Sequence, residues 1–374
     1  MTLEASIRSE ATRLGVDLLG IAPVSRWDKA PKEHSPQAVM PEARNVIVCG
    51  IHFLDAPTEL GAEDDPREPG PAMTEMNVSH MLHEVAWSLC KLLDRQGHRA
   101  NFVRQSGQWR YRASGEDRGW VGDICHYYAA VCAGLGEVGW NNITLSEKFG
   151  PRQRWVSIIT DADLPPTPLY DGPPLCDRCK LCAKHCPTQS FTKDVSGEMR
   201  HIEVERHRYE FPDRNLWRCA IGENFMLDVF LDKWKDQEVT EDLIKAMQEK
   251  AVYENNDMVK GWKMGMCLKH CMPPHRRYFD PDYCKAPRRR RDVQVDPSPA
   301  ALARAQQDIL AHAGEWGVDM IAAASAEALT EAGIDLREVM PDAESLLVLG
   351  IGYPAQCMLN SDYVAAKAEI MVAS

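Results

Sequence analysis

No run of this sequence is both long enough and apolar enough to cross a bilayer as a helix, which excludes helical membrane spans. The start of the chain, Met1 to Gly15, lacks the apolar core of a signal peptide and lacks a twin arginine, so no export signal is expected and the expected location is cytoplasmic. Positive charge is in deficit: Lys and Arg number 43 against 55 Asp and Glu, a formal net charge of -12. That balance argues against a general nucleic-acid binder and leaves room for a local basic patch. An even set of cysteines is missing too. There are 13, an odd number in a chain with no secretion signal, so metal or redox chemistry is expected in place of a disulfide framework. What remains is globular: 374 residues, 44% hydrophobic and 26% charged, enough for two or three domains with cores of their own.

Hydrophobic periodicity predicts helices over about Leu3–Leu14, Met73–Gln96, Ile124–Cys132 and Phe225–Lys250, with strands at Leu18–Ile21, Asn45–Phe53 and Trp155–Thr160. Val78, Met81, Leu82, Val85, Leu89, Leu92 and Leu93 recur at helical spacing, and Gly97 can end that helix. Residues 161–175 (Asp and Pro) and 286–299 (Arg and Pro) read as linkers. The expected domains are 1–165, 166–290 and 291–374. The ends of the chain repeat each other: Val39-Met40-Pro41 through Gly50-Ile51 matches Val339-Met340-Pro341 through Gly350-Ile351. Gly15-Val16-Asp17 and Gly317-Val318-Asp319 stand upstream at similar distance. A helix–strand–loop–strand unit is expected twice, the second copy pairing with or packing beside the first, or offering a homodimer surface.

Cys176, Cys179, Cys182 and Cys186, followed by Pro187, form C-x2-C-x2-C-x3-C-P, the bacterial ferredoxin spacing. Thiolates on one tight loop hold three corners of a cubane. The fourth cysteine is expected to start the next helix and to point at a second cluster. Zinc sites usually pair two C-x2-C knuckles instead, so the run is read as iron–sulfur. The two-cluster pattern predicts a second half, found as Cys219 far upstream of Cys267-Leu268-Lys269-His270-Cys271. Cys271 then completes the first cluster, with Cys176, Cys179 and Cys182. The second takes Cys186, Cys219, Cys267 and one more ligand, which by spacing belongs at Met264. Three outcomes are open: a 3Fe–4S cluster, a cubane with water or Met264 on one iron, or recruitment of Cys284 from a nearby Pro-rich loop. Cys49, Cys90, Cys125, Cys132 and Cys357 sit in apolar or helical contexts and read mostly as buried small hydrophobes.

The order of several segments carries a family resemblance. Gly15-Val16-Asp17-Leu18-Leu19-Gly20-Ile21-Ala22, Met40-Pro41-Glu42-Ala43-Arg44-Asn45-Val46-Ile47-Val48 and Ala133-Gly134-Leu135-Gly136-Glu137-Val138-Gly139 precede Gly150-Pro151-Arg152, Thr160-Asp161 and the ferredoxin run. This order resembles the epoxyqueuosine reductase and reductive dehalogenase superfamily over roughly residues 10–275, with the Gly-Leu-Gly-Glu and Gly-Pro-Arg segments nearer the dehalogenase branch. The resemblance implies an α/β (α+β) nitroreductase-like domain holding base-off cobalamin, and a ferredoxin-like domain whose two clusters reduce cobalt to Co(I). It implies a cytoplasmic reductase that cleaves a carbon–heteroatom bond, in a dehalogenase-like reaction or by epoxide or hydroxyl reduction. A small-molecule substrate and a ferredoxin- or flavodoxin-type electron donor come with it. Cofactor contacts fall on Gly134, Leu135, Gly136, Gly139, Asn141 and Arg152. Three features depart from the family pattern. The place of the epoxyqueuosine reductases' catalytic aspartate falls near Trp120, with Asp123 three residues later; no helical repeat domain for tRNA follows the clusters; and one cluster cysteine is missing.

Read from the residues alone, Gly134, Gly136 and Gly139 let backbone approach a flat ligand, or simply cap a helix and turn. Reductive cleavage also needs a proton, and Asp123-Ile124-Cys125-His126-Tyr127-Tyr128 lies just ahead of the loop. By resemblance a tyrosine is the donor, Tyr127 or Tyr128, with His126 and Asp123 as the next candidates. The competing reading is two aromatics packed in a helix with a satisfied histidine. Arg104, Arg110 and Arg112 read either as contacts to an anionic group or as a solvated strand. The run Arg288–Arg291 reads as a patch for RNA phosphate, cobalamin phosphate or an acidic electron donor, or as a solvated linker. Two further functions stay open: an electron-transfer protein without catalysis of its own, and a reductase holding another tetrapyrrole or a flavin.

Overall fold

The computed structural model describes residues 2–61, 70–103, 124–219, 238–240, 242–243, 265–293, 296, 298–315 and 317–352. The chain divides into two compact units, Met1–Arg290 and Arg291–Ser374. Asp123, Met264, Cys357, the arginines at 104, 110 and 112, and most of the helix expected at Phe225–Lys250 lie outside the described residues.

In the first unit the helices are α1 (Leu3–Arg13), α2 (Pro36–Val39), α3 (Asp55–Leu60), α4 (Gly70–Arg95) and α5 (His126–Cys132). The strands are β1 (Leu18–Pro23), β2 (Asn45–His52), β3 (Ala100–Val103), β4 (Glu137–Val138), β5 (Thr144–Leu145) and β6 (Gln153–Thr160). The Thr2 hydroxyl caps α1 by accepting the Ala5 N–H at 3.2 Å, and Gly15 ends the helix at φ +80°. β1, β2, β6 and β3 form one sheet in that order, every neighbour antiparallel, with Ile47 opposite both Ile21 and Ile158. The fold is thus α+β.

Side chains alternate across a strand, so β2 sends Ile47, Cys49 and Ile51 to the face covered by α1 and α4. Val46 and Val48 go to the face covered by α5 and by a later hairpin. That two-sided cover is why Val46-Ile47-Val48-Cys49 is an unbroken apolar run. The expected linker 161–175 is packed rather than free. Thr167 donates its N–H to the Ile21 carbonyl at 2.8 Å and accepts the Ile21 N–H on its hydroxyl at 3.0 Å, satisfying part of the β1 edge.

The cysteine-bearing part of this unit carries α6 (Leu181–Lys184), the hairpin β7 (Met199–Val204) and β8 (His207–Pro212), α7 (Met266–Lys269), and the short pair β9 (Arg277–Tyr278) and β10 (Arg288–Arg289). Ile202, Val204 and Phe211 of the hairpin join the α5 core. Cys186 follows α6 in a turn and does not open a helix. Thr188 and Ser190 surround its sulfur, and Ser190 donates its N–H to it at 3.4 Å.

The second unit contains α8 (Pro299–Glu315), β11 (Met320–Ser325), α9 (Ala326–Glu331) and β12 (Ser345–Gly350). The repeat holds bond for bond. Met320 pairs with Gly350 as Leu18 pairs with Gly50. Asp319 N–H reaches the Gly350 carbonyl as Asp17 N–H reaches that of Gly50, both at 3.0 Å.

Candidate functional site

Segments far apart in sequence bring Cys176, Cys179, Cys182 and Cys271 around one cavity, closed on another side by Trp140 and Asn141. The loop winds tightly because Arg178 and Lys180 adopt left-handed φ values of 55° and 60°. Glu137 anchors it: its Oε1 accepts the N–H of Leu175 at 2.6 Å and of Cys176 at 3.0 Å. Trp140 donates its N–H to the Cys176 sulfur at 3.3 Å, and Arg277, paired with Asp177, reaches the Cys179 sulfur at 3.6 Å. Burial raises the Cys182 thiol to about 12 and the Cys271 thiol well above the usual range, with the neighbouring thiols adding to both. As free thiols these groups stay protonated, so metal must displace the protons. Among the described residues no three His, Cys, Asp or Glu side chains converge on a single ion. Four thiols around an enclosed space, with N–H donors aimed at two of the sulfurs, fit a four-thiolate cluster.

A second group draws on Cys186, Cys219 and Cys267: Ser190, whose hydroxyl is 3.2 Å from the Cys186 sulfur, accepts the Asn215 N–H on its carbonyl at 2.8 Å, and Asn215 accepts the Cys219 N–H at 3.1 Å. Burial pushes the Cys267 thiol to about 12, and its nearest thiol neighbours in effect are Cys219, then Cys186. The rings of His185 and His270, one beside Cys186 and one beside Cys271, stack at 3.8 Å. The Cys284 sulfur donates to the Ala286 carbonyl at 3.2 Å, and its charged neighbours are Glu59, Lys269 and Arg288.

The candidate proton donors part company. Tyr128 is a core residue, 2% exposed, whose hydroxyl donates to the backbone carbonyls of Glu203 at 2.7 Å and Arg26 at 3.2 Å. Burial, then the neighbouring Cys132, pushes its pKa above the usual tyrosine range. Tyr127 is half-buried against the same core and lies within the field of Arg214. His126 Nδ1 is 2.9 Å from the Ser157 hydroxyl.

The expected cofactor contacts are engaged with protein. An added Cβ on Gly134 would meet the Pro168 carbonyl at 1.9 Å, and one on Gly136 the Leu145 carbonyl at 1.9 Å. A Cβ on Gly139 would meet Asn141 at 2.8 Å. These glycines serve close packing of the chain on itself. Asn141 lines the first cysteine cavity, and Leu135 is half-buried beside the α5 core. Arg152 is wholly buried. It bonds Glu59 at 2.7 Å and the carbonyls of Lys269 at 3.0 Å and Pro287 at 2.7 Å, joining the sheet domain to the second cysteine segment. Gly134, Gly136, Gly139 and Arg152 are thus taken up by protein contacts, while Leu135 borders the α5 core and Asn141 the first cysteine cavity.

The first two residues of the arginine run belong to the same network, while Arg290 and Arg291 are exposed. Arg289 makes a two-pronged contact with Asp55 at 2.8 and 3.1 Å, and Arg288 pairs with Asp280 at 2.9 Å while lying 3.5 Å over the Tyr283 ring. Arg288 and Arg289 are internal struts on a strand, neither a phosphate patch nor a solvated linker. The carboxylate partners Asp55 and Glu59 went unnoticed in sequence, as did Glu137, Trp140 and Arg214. Only the acid in Gly-Leu-Gly-Glu offered a signal.

No family model matches the chain. A tetrachloroethene reductive dehalogenase of Desulfitobacterium hafniense is 36% identical over 92 residues, 21% of this chain and 17% of the relative. That of Dehalobacter restrictus gives the same figures. The chain thus resembles reductive dehalogenases over a partial stretch and spans 17% of the length of these curated relatives. Among solved structures, a catabolic reductive dehalogenase has TM-score 0.44 and 18% identity, covering 80% of this chain and 42% of that one. An epoxyqueuosine reductase from Streptococcus thermophilus has TM-score 0.35 and 16% identity, covering 51% and 54%.

Proposed function

We propose that this chain is an oxidoreductase whose two cysteine groups hold iron–sulfur clusters and carry electrons toward the region of Tyr127. The reaction is reductive cleavage of a carbon–heteroatom bond, as in dehalogenation: two electrons and one proton replace the leaving group by hydrogen. The observation that carries this reading is the cavity ringed by Cys176, Cys179, Cys182 and Cys271, with Cys186, Cys219 and Cys267 grouped beside it. The stretch 36% identical to tetrachloroethene reductive dehalogenases supports the reaction class. Tyr127 is the proton donor in this reading, because the Tyr128 hydroxyl already serves two backbone carbonyls.

Cobalamin is the electron acceptor that the family resemblance supplies, and when bound it would contribute a strongly reducing cobalt. No step is assigned to Gly134, Gly136 or Arg152 toward it. The test is anaerobic addition of hydroxocobalamin to the reconstituted protein, followed by a low-potential dye and a chlorinated alkene or halophenol. A shifted cobalamin spectrum with halide release supports the reading. Clusters that reduce but give neither indicate an electron-transfer protein.

A further inference from the structure

Arg214 follows the β7–β8 hairpin and is 8% exposed. Its Nη1 donates to the Asn141 carbonyl at 3.3 Å, and its guanidinium lies 5.8 Å from the centroid of the Phe191 ring. Phe191 stacks in turn on Trp140 at 5.4 Å, the residue whose N–H meets Cys176. The Arg214 Nε is buried without a hydrogen-bond partner, and among the described residues no carboxylate pairs with it. Asn215, the next residue, donates its N–H to the Ser190 carbonyl at 2.8 Å and accepts the Cys219 N–H on its own carbonyl at 3.1 Å, and the Ser190 hydroxyl lies 3.2 Å from the Cys186 sulfur; Arg214 therefore stands between the loop that closes the first cavity and the second cysteine group.

A guanidinium keeps its charge at any ordinary pH, and a buried charge needs a counter-charge. The groups that can provide one are thiols. The counter-charge arises once Cys186, Cys219 and Cys267 become iron-bound thiolates.

We propose that Arg214 is a positioning residue that supplies compensating charge to the second cluster, held by Cys186, Cys219 and Cys267, and raises its reduction potential. A nearby cation stabilises the extra electron of the reduced cluster. The step is one electron taken from an external one-electron carrier, with no bond made or broken. The second cluster becomes the easier one to fill, and the harder reduction falls to the cluster of Cys176, Cys179, Cys182 and Cys271. This inference rests on the iron–sulfur reading above.

The test is a redox titration of the anaerobically reconstituted full chain, followed by paramagnetic resonance, for wild type, Arg214→Lys and Arg214→Gln. In Arg214→Gln the reduced-to-oxidised ratio of the second cluster at a fixed potential should fall about tenfold, 59 mV for a one-electron couple. Arg214→Lys should restore most of it. The first cluster serves as the control for folding and should keep its midpoint. Loss of the second cluster in Arg214→Gln with retention in Arg214→Lys also supports a need for charge. An unchanged midpoint in Arg214→Gln, or loss of the cluster in both variants, overturns the inference and leaves the reductase reading standing. A wild-type protein with no second cluster overturns both.

Discussion

Replacing Arg152 by methionine removes the charged head of a wholly buried side chain at nearly constant bulk. Glu59 loses its 2.7 Å partner and, among the described residues, keeps the Arg289 N–H at 3.1 Å and Arg288 at 3.5 Å. The carbonyls of Lys269 and Pro287 lose their donor as well. Breaking one side of a buried ion pair costs about 3–5 kcal/mol, and each orphaned carbonyl adds to the same strain without adding in full. Against a total stability of about 5–15 kcal/mol that is a large share. The assay is guanidinium unfolding followed by the visible absorbance of the clusters. With a slope of about 4 kcal/mol per molar, the midpoint should fall by about 1 M. Because Lys269 stands two residues before Cys271, cluster absorbance should be lost early in that transition. Glu59→Gln combined with Arg152→Met should cost less than the two changes summed. An unchanged midpoint together with weakened cobalamin binding would refute the structural role and return Arg152 to the cofactor.

Cys271→Ser should abolish the resonance signal of the first cluster and leave that of the second, since the two groups draw on different thiols. Tyr127→Phe should lower turnover by about 10²–10⁴-fold, the range for a lost general acid. Tyr128→Phe should instead cost about 1 kcal/mol of stability with turnover kept, because its hydroxyl serves two backbone carbonyls. Burial favours protonation of Asp55, but His52 and Arg289 outweigh it and hold the carboxyl far below the usual range. A depressed folded-state pKa contributes stability that is present above about pH 4 and lost as pH falls through the folded value. Asp55→Asn should therefore be less stable at neutral pH and should show a flatter acid limb in unfolding scans between pH 2 and 5.

Regular elements with strong periodicity were legible. α1, α4 and β2 lie within a few residues of their expected bounds, because single-faced or two-faced burial writes directly into spacing. The convergence of Cys176, Cys179 and Cys182 was legible because C-x2-C-x2-C spacing puts three thiols on one tight loop. Charge pairing was not. Arg288 and Arg289 meet Asp55 and Glu59 across more than two hundred residues, and nothing local distinguishes a strut from a solvated arginine. The glycines of the 134–139 loop stayed ambiguous for a related reason. A missing Cβ admits any close neighbour, and here the neighbours are the carbonyls of Pro168 and Leu145. Tyr127 and Tyr128 share a helix and differ only in which side of α5 meets the core, which the two-residue pattern alone does not reveal.

The central claim is that seven cysteines hold two iron–sulfur clusters, and one measurement meets it most directly: iron, zinc and acid-labile sulfide on protein purified without air. A brown protein with iron and sulfide each above one cluster's worth per chain is the expected result. Stoichiometric zinc without sulfide would contradict it.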